Sequence, residues 1–206
     1  MGRRLSKEVS LAICSRDSEE NYRWLQDHLE NKMFHHTKVV VHPVYISNNA
    51  SEFYKVAPRH DFAILYHTKK RGRVNVTNVT DSLYDQELRY LHDKLGKKSV
   101  VVVIDDLEES GDHDKNRIQS AQEDLHKYAC NLFLFSTTDK NHINGQRRVQ
   151  GGVADKLKAL KKEIKTGRRK AKRRKSTKER YFTRGSVPDG LDRATCVQPP
   201  DPSCLH

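Results

Sequence analysis

The chain has 206 residues, of which 35% are hydrophobic and 32% charged, with a formal net charge of +12. That length holds one domain of about 150 residues plus an extension, and the balance is too polar for a chain that is globular throughout. Lys161 to Arg184 alone holds 13 Lys or Arg against 2 acids, a net of +11, so the rest of the chain sums to about +1 and the basicity is that of a tail.

Glu8 to Cys14 reads as the first strand. Asp17 or Ser18 can cap the helix that follows, and Tyr22, Leu25, Leu29 and Met33 recur on one face of it, with Trp24 packing beside them. Thr37 to Ile46 is the second strand. Pro43 cannot donate to a ladder, which places this strand at an edge or a bulge. Ser51 to Val56 makes one or two helical turns before Pro58. Asp61 to His67 is a short apolar run, followed by a loop with Lys69, Lys70, Arg71 and Arg73 around Gly72. Thr80-Asp81-Ser82 opens a helix with Tyr84, Leu88, Leu91 and Leu95 on one face, and Gly96 stops it. Ser99 to Ile104 is the fourth strand, and an acidic loop runs from Asp105 to Asp112. A helix over about 114–129 places Ile118, Ala121, Leu125 and Tyr128 together, and Asn131 to Phe135 is the fifth strand. A polar loop through Gly145 leads to a last helix with Val153, Leu157, Leu160 and Ile164 on one face, after which, from Thr166, the apolar pattern ends.

Continuous apolar strands alternating with amphipathic helices imply a parallel sheet covered on both faces. The expected fold is an α/β, five-stranded, parallel, doubly wound sheet in the flavodoxin-like order 2-1-3-4-5, which also puts the Pro43 strand at an edge. Residues 1–166 form this domain. Residues 167–206 form a basic, Pro-containing tail that is expected to be disordered and that ends in a stretch with Pro188, Pro199, Pro200 and Pro202.

No motif fixes a chemistry. There is neither G-x-G-x-x-G nor G-x-x-x-x-G-K-[ST], which argues against classical dinucleotide binding and P-loop NTPase activity. In doubly wound sheets ligands sit outside the carboxyl ends of the strands. That rule selects Ser15, Arg16 and Asp17 after strand one, Tyr66 to Lys70 after strand three, His67 and Lys69 foremost, Asp105 and Asp106 after strand four, and Ser136 to Thr138 after strand five. Neighbouring residues on a strand point to opposite faces, so Asp105 and Asp106 share one cation only if the chain turns there. Eleven histidines, among them His35, His36, His60 and His67, show no metal-ligand spacing, and no metal is expected. Cys14, Cys130, Cys196 and Cys204 include no C-x-x-C pair, and Cys14 and Cys130 read as buried thiols. Nowhere do about 18 apolar residues run together, and Met1 to Leu5 has no apolar signal core. We therefore expect a soluble protein of a reducing, intracellular compartment, with no membrane contact and with its three Asn-x-Ser/Thr sequons unused.

The opening strand followed by Ser15-Arg16-Asp17, the Trp24-Leu25 helix, and a third strand followed by a helix bearing Glu87 and then an apolar fourth strand resemble a TIR-type domain, the signalling module of Toll and interleukin receptors. The resemblance covers Glu8 to about Ile164. In the NAD-cleaving members a glutamate on that helix is catalytic. It therefore implies Glu87 in that role, with NAD as substrate and no bound cofactor.

The strongest single signal is Arg168-Arg169-Lys170-Ala171-Lys172-Arg173-Arg174-Lys175, seven cations in eight residues. Such runs serve nuclear import or contact nucleic-acid phosphate. Tyr181 and Phe182 can stack on bases, and phosphorylation of Ser176 or Thr177 would subtract charge. The expected protein is a regulatory or interaction protein, not an enzyme. It is nuclear or shuttles between nucleus and cytoplasm, meets an import receptor or nucleic acid through Arg168, Arg169, Lys170, Lys172, Arg173, Arg174 and Lys175, and meets a protein partner through the α/β domain. The other reading is a TIR-like NAD hydrolase using Glu87.

Overall fold

The computed structural model describes residues 8–34, 37–145 and 149–184, with side chains for all of these but 170 and 172–184. His35, His36, Cys196, Cys204 and the Pro-containing stretch 186–206 lie outside the described residues. Strands β1 (Val9–Ser15), β2 (Val39–Tyr45), β3 (Phe62–Thr68), β4 (Val100–Leu107) and β5 (Asn131–Ser136) form one parallel sheet in the order β2-β1-β3-β4-β5. The predicted fold class and strand order are those observed.

Because successive strand residues face opposite ways, the sheet builds two cores. Leu11, Ile13, Phe62, Ile64, Tyr66, Val101 and Val103 point to one side. There they pack under α1 (Glu19–Asp27), a π-helical turn that prolongs it (His28–Met33), α6 (Thr137–Gly145) and α7 (Gly151–Arg184). Ala12, Cys14, Leu65, Val102 and Ile104 point to the other side. Their cover is α2 (Ser51–Val56), α3 (Asp85–Leu95), α4 (Asp112–Ala121) and α5 (Glu123–Tyr128). All seven residues of β3 are buried, which is why this strand reads as an unbroken apolar run.

The edge strand β2 is partly closed to further pairing. Ile46 donates its N–H inward to Ser15 O, so the N–H groups of residues 41, 43 and 45 face outward. Glu30 accepts the Val41 N–H at 2.9 Å, and Pro43 has none to offer.

Five local expectations change. Helix α3 starts at Asp85, not at Thr80, because Asn78 and Asp81 take left-handed φ values of 58° and 59° and keep the preceding loop irregular. The helix expected over 114–129 is broken at Gln122, whose buried side chain turns inward. Its Oε1 accepts the N–H groups of Val76 and Thr77, and its Nε2 donates to Val74 O. Residues 137–145, expected as loop, form α6, a helix with little apolar content beyond Ile143. β4 runs on through Asp105 and Asp106 to Leu107.

Finally, α7 does not stop at Thr166: its backbone is helical to Arg184, so the boundary expected at 166 falls inside a helix. Gly167 and Ala171 continue the 3-4 spacing of Val153, Leu157, Leu160 and Ile164, and both are buried. At Gly167 the helix comes so close to the sheet that an added Cβ would stand 2.6 Å from Lys98 O and 2.6 Å from the Phe62 ring. Small residues in this seam carry no hydrophobic signal, which is why the pattern reads as ending too early.

Candidate functional site

The switch point of this strand order lies between β1 and β3, whose chains leave toward opposite faces of the sheet. Ser15 and Asp17, selected from the sequence, lie there, and both are buried. The Ser15 hydroxyl donates to Tyr66 O at 3.0 Å and lies 3.2 Å from Asp17 Oδ2, and it accepts the Asp17 N–H.

Arg16 points the other way. Its guanidinium bridges Glu87 Oε1 at 2.8 Å, Leu83 O at 3.0 Å and Ser47 O at 3.5 Å, and stands over the Tyr84 ring. Glu87 lies in the first turn of α3 and is 5% exposed. The pair lines a polar cleft of about 360 Å³ together with Asn48, Asn49, Tyr54 and Asp85.

His67 is fully buried beside Tyr84. Its Nε2–H donates to Arg73 O at 2.9 Å, which leaves Nδ1 as a lone-pair nitrogen with no hydrogen-bond partner. Burial holds the imidazole below its usual range, so it stays neutral.

The crevice between the β1 and β3 loops is filled by the protein itself. Arg71, from the turn after β3, reaches across to Asp17 Oδ1 at 3.1 Å and Arg16 O at 3.0 Å. The other cations of this loop are matched as well: Lys69 with Glu108, Lys70 with Asp106 and Arg73 with Asp81. Four basic side chains thus meet four carboxylates, and the loop presents little unbalanced charge to an anion.

Asp105 and Asp106 form a second cluster one strand over. β4 holds one more residue than β5 between their paired positions, and Asp106 takes φ 56°. This bulge turns both carboxylates toward one cation, the Lys140 ammonium of α6, 2.9 Å from each. The condition for sharing a cation is therefore met, and a lysine supplies it. Asp105 Oδ2 also accepts from Tyr66 Oη at 2.6 Å and Trp24 Nε1 at 2.8 Å, while Oδ1 has no hydrogen-bond partner. Burial raises the Asp105 carboxyl above its usual range against the pull of Tyr66 and Lys140. Asp106 is brought below that range: its partial burial is outweighed by Lys140 and Thr68.

A wider groove of about 910 Å³ lies between α4, β5 and the start of α7. On its floor the Lys156 ammonium contacts Ser110 Oγ at 2.7 Å and Asp139 Oδ2 at 2.8 Å, and Ser110 donates to the same carboxylate oxygen at 2.7 Å. A serine beside a lysine suggests a nucleophile, but here the carboxylate and not the amine takes the hydroxyl proton, so the triangle clamps α7 to α6 and the β4–α4 loop.

The residues absent from the sequence-derived set are Arg71, Tyr84 and Lys140. Lys140 had a readable signal: in this strand order the segment after β5 must lie beside the segment after β4, and Lys140 is the cation nearest the end of β5. Among the described residues no group of three His, Cys, Asp or Glu is placed to hold a metal ion, and no helix is long and apolar enough to cross a membrane. In comparisons with known proteins the chain matches no family model, no curated protein and no solved structure.

Of the basic run, Arg168 is half-buried and Arg169 exposed. α7 begins at the carboxyl edge of the sheet, where Lys156 meets Asp139, and passes Lys98 and Phe62 at the amino edge. The cations therefore lie at the end of the molecule opposite the strand-end clusters.

Proposed function

We propose that this is a nuclear regulatory or interaction protein that reaches the nucleus through Arg168 to Lys175 and touches nucleic acid there, with the α/β domain taking a protein partner. The observation that carries the reading is the difference between the two basic segments. In the loop Lys69 to Arg73 each cation meets a carboxylate. In Arg168 to Lys175 seven cations follow one another with no acid among them, on a helix that runs past the sheet edge. A run of charges of one sign attracts polyanions and acidic receptor grooves.

The test is localisation of the full chain with Arg173, Arg174 and Lys175 changed to Ala, a set that keeps helix propensity while removing three charges. Loss of nuclear accumulation supports import by this segment. Unchanged localisation overturns it.

A second reading is favoured by the Arg16–Glu87 cleft. A buried carboxylate facing a polar cleft beside an arginine suits binding of a ribosyl group, in line with a TIR-like NAD hydrolase using Glu87. Glu87→Gln keeps the volume and an acceptor for Arg16, so it removes the charge without orphaning the guanidinium. If purified protein consumes NAD and Glu87→Gln does not, this reading stands; no turnover by the wild type removes it.

A further inference from the structure

We propose that the end of α7 is a preformed helix that binds duplex DNA by lying in its major groove. This rests on the nucleic-acid reading of the basic segment and names its ligand class.

Three observations lead there. First, the segment is a continuation of a docked helix. Val153, Leu157, Leu160, Ile164, Gly167 and Ala171 form one seam against the domain, and the backbone stays helical to Arg184. The close approach at Gly167, with Lys98 O and Phe62 on the far side, fixes where the helix leaves the sheet. A helix anchored in this way binds without first being ordered, unlike a flexible basic tail.

Second, its dimensions fit. Beyond Ala171, the last docked residue, the helix runs 13 residues to Arg184, or about 20 Å at 1.5 Å per residue. An α-helix with its side chains is about 10–12 Å across, and the B-DNA major groove, about 12 Å wide, admits it. The major groove of A-form RNA is deep and narrow and does not.

Third, the charge is placed for a groove with phosphates on both walls. At about 100° per residue, Arg169, Lys170, Lys172, Arg173, Arg180 and Arg184 fall on the half of the helix opposite the docked seam. Glu179 is the single acid from Arg168 to Arg184. Continuous helices that run from a folded or coiled domain into the major groove are an established docking geometry.

The experiment measures binding of the full chain to a B-form DNA duplex, an A-form RNA duplex and a single-stranded RNA of equal length across a salt series. Two variants accompany it. Ser176→Pro breaks the helix beyond its last docked residue without changing charge. The triple change Lys170→Gln, Arg173→Gln, Arg180→Gln removes charge and keeps the helix. We expect the DNA duplex to bind at least tenfold more tightly than either RNA. Ser176→Pro should weaken DNA binding at least tenfold with the thermal unfolding of the domain unchanged. The triple variant should lower the slope of log K against log salt by about 3.

Equal binding of DNA and RNA, or DNA binding that Ser176→Pro leaves intact, overturns the groove-binding helix while leaving a general electrostatic contact in place. A preference for single-stranded RNA overturns it as well. If the wild type binds none of the three at low salt, the nucleic-acid reading itself falls, and the helix proposal falls with it.

Discussion

At the scale of single residues, the most consequential side chain at the strand ends is Lys140. It answers two carboxylates at once, one of them in a fully buried residue. Removing one member of a buried charge cluster is costly because the others keep their desolvation penalty. Lys140→Met should therefore lose about 3–5 kcal/mol of stability, measured by urea unfolding at pH 7. The carboxylates should also pull the acid limb of stability in opposite directions. For Asp139, burial alone would raise the carboxyl, but Lys156, Ser110 and the Ser136 N–H hold it below the usual range. Its contribution is present at neutral pH and lost as pH falls below the unfolded value of about 3.9 toward the folded one. Asp105 is raised by burial, so its ionised form weakens the fold, and acidification through its folded pKa relieves that. Asp139→Asn should thus flatten the fall of stability below about pH 4, and Asp105→Asn should steepen the fall above about pH 4, as read from unfolding free energies at each pH. The positions of Ser15, Arg16, Asp17, His67, Asp105 and Asp106 were legible because strand-end geometry follows from topology alone. Their partners were not. Arg71 and Lys140 come from segments with no periodicity, and a left-handed Asp106 leaves no mark in the residue pattern.

At the scale of elements, two of the departures from expectation share one cause: small or polar residues placed in the interior. Gln122 breaks a helix in order to serve three backbone groups of residues 74–77. Gln122→Leu should cost about 1–3 kcal/mol for each buried group left without a partner, with the Val76 and Thr77 amides losing protection in hydrogen exchange. Gly167 is a helix residue that a propensity scale would replace with Ala for a gain of about 1 kcal/mol. Overpacking against a carbonyl oxygen and an aromatic ring costs about 1–3 kcal/mol. We expect Gly167→Ala to lower the denaturation midpoint despite the better helix former. Strands, by contrast, were read to within one or two residues at most ends, because apolar runs of that length are too short for a helix of ordinary size. Where α6 was missed, its one buried apolar residue, Ile143, left no repeat to detect.

At the scale of the whole molecule, the sheet keeps its polar clusters at the carboxyl edge and hands its excess charge to a helix that leaves at the amino edge. Under the proposed reading, a protein held at the carboxyl edge leaves the amino edge open to DNA. The same helix also governs the order in which the fold can be completed during synthesis. The sheet face built from Phe62, Ile64, Tyr66, Val101 and Val103 is made early, yet its cover includes Leu157, Leu160 and Ile164, which leave the ribosome much later. Until then that face is open to chaperones and to other nascent chains. Ribosome-arrested chains should turn from protease-sensitive to protease-resistant in one step, and only once the stall site has moved far enough past Ile164 for α7 to emerge from the exit tunnel.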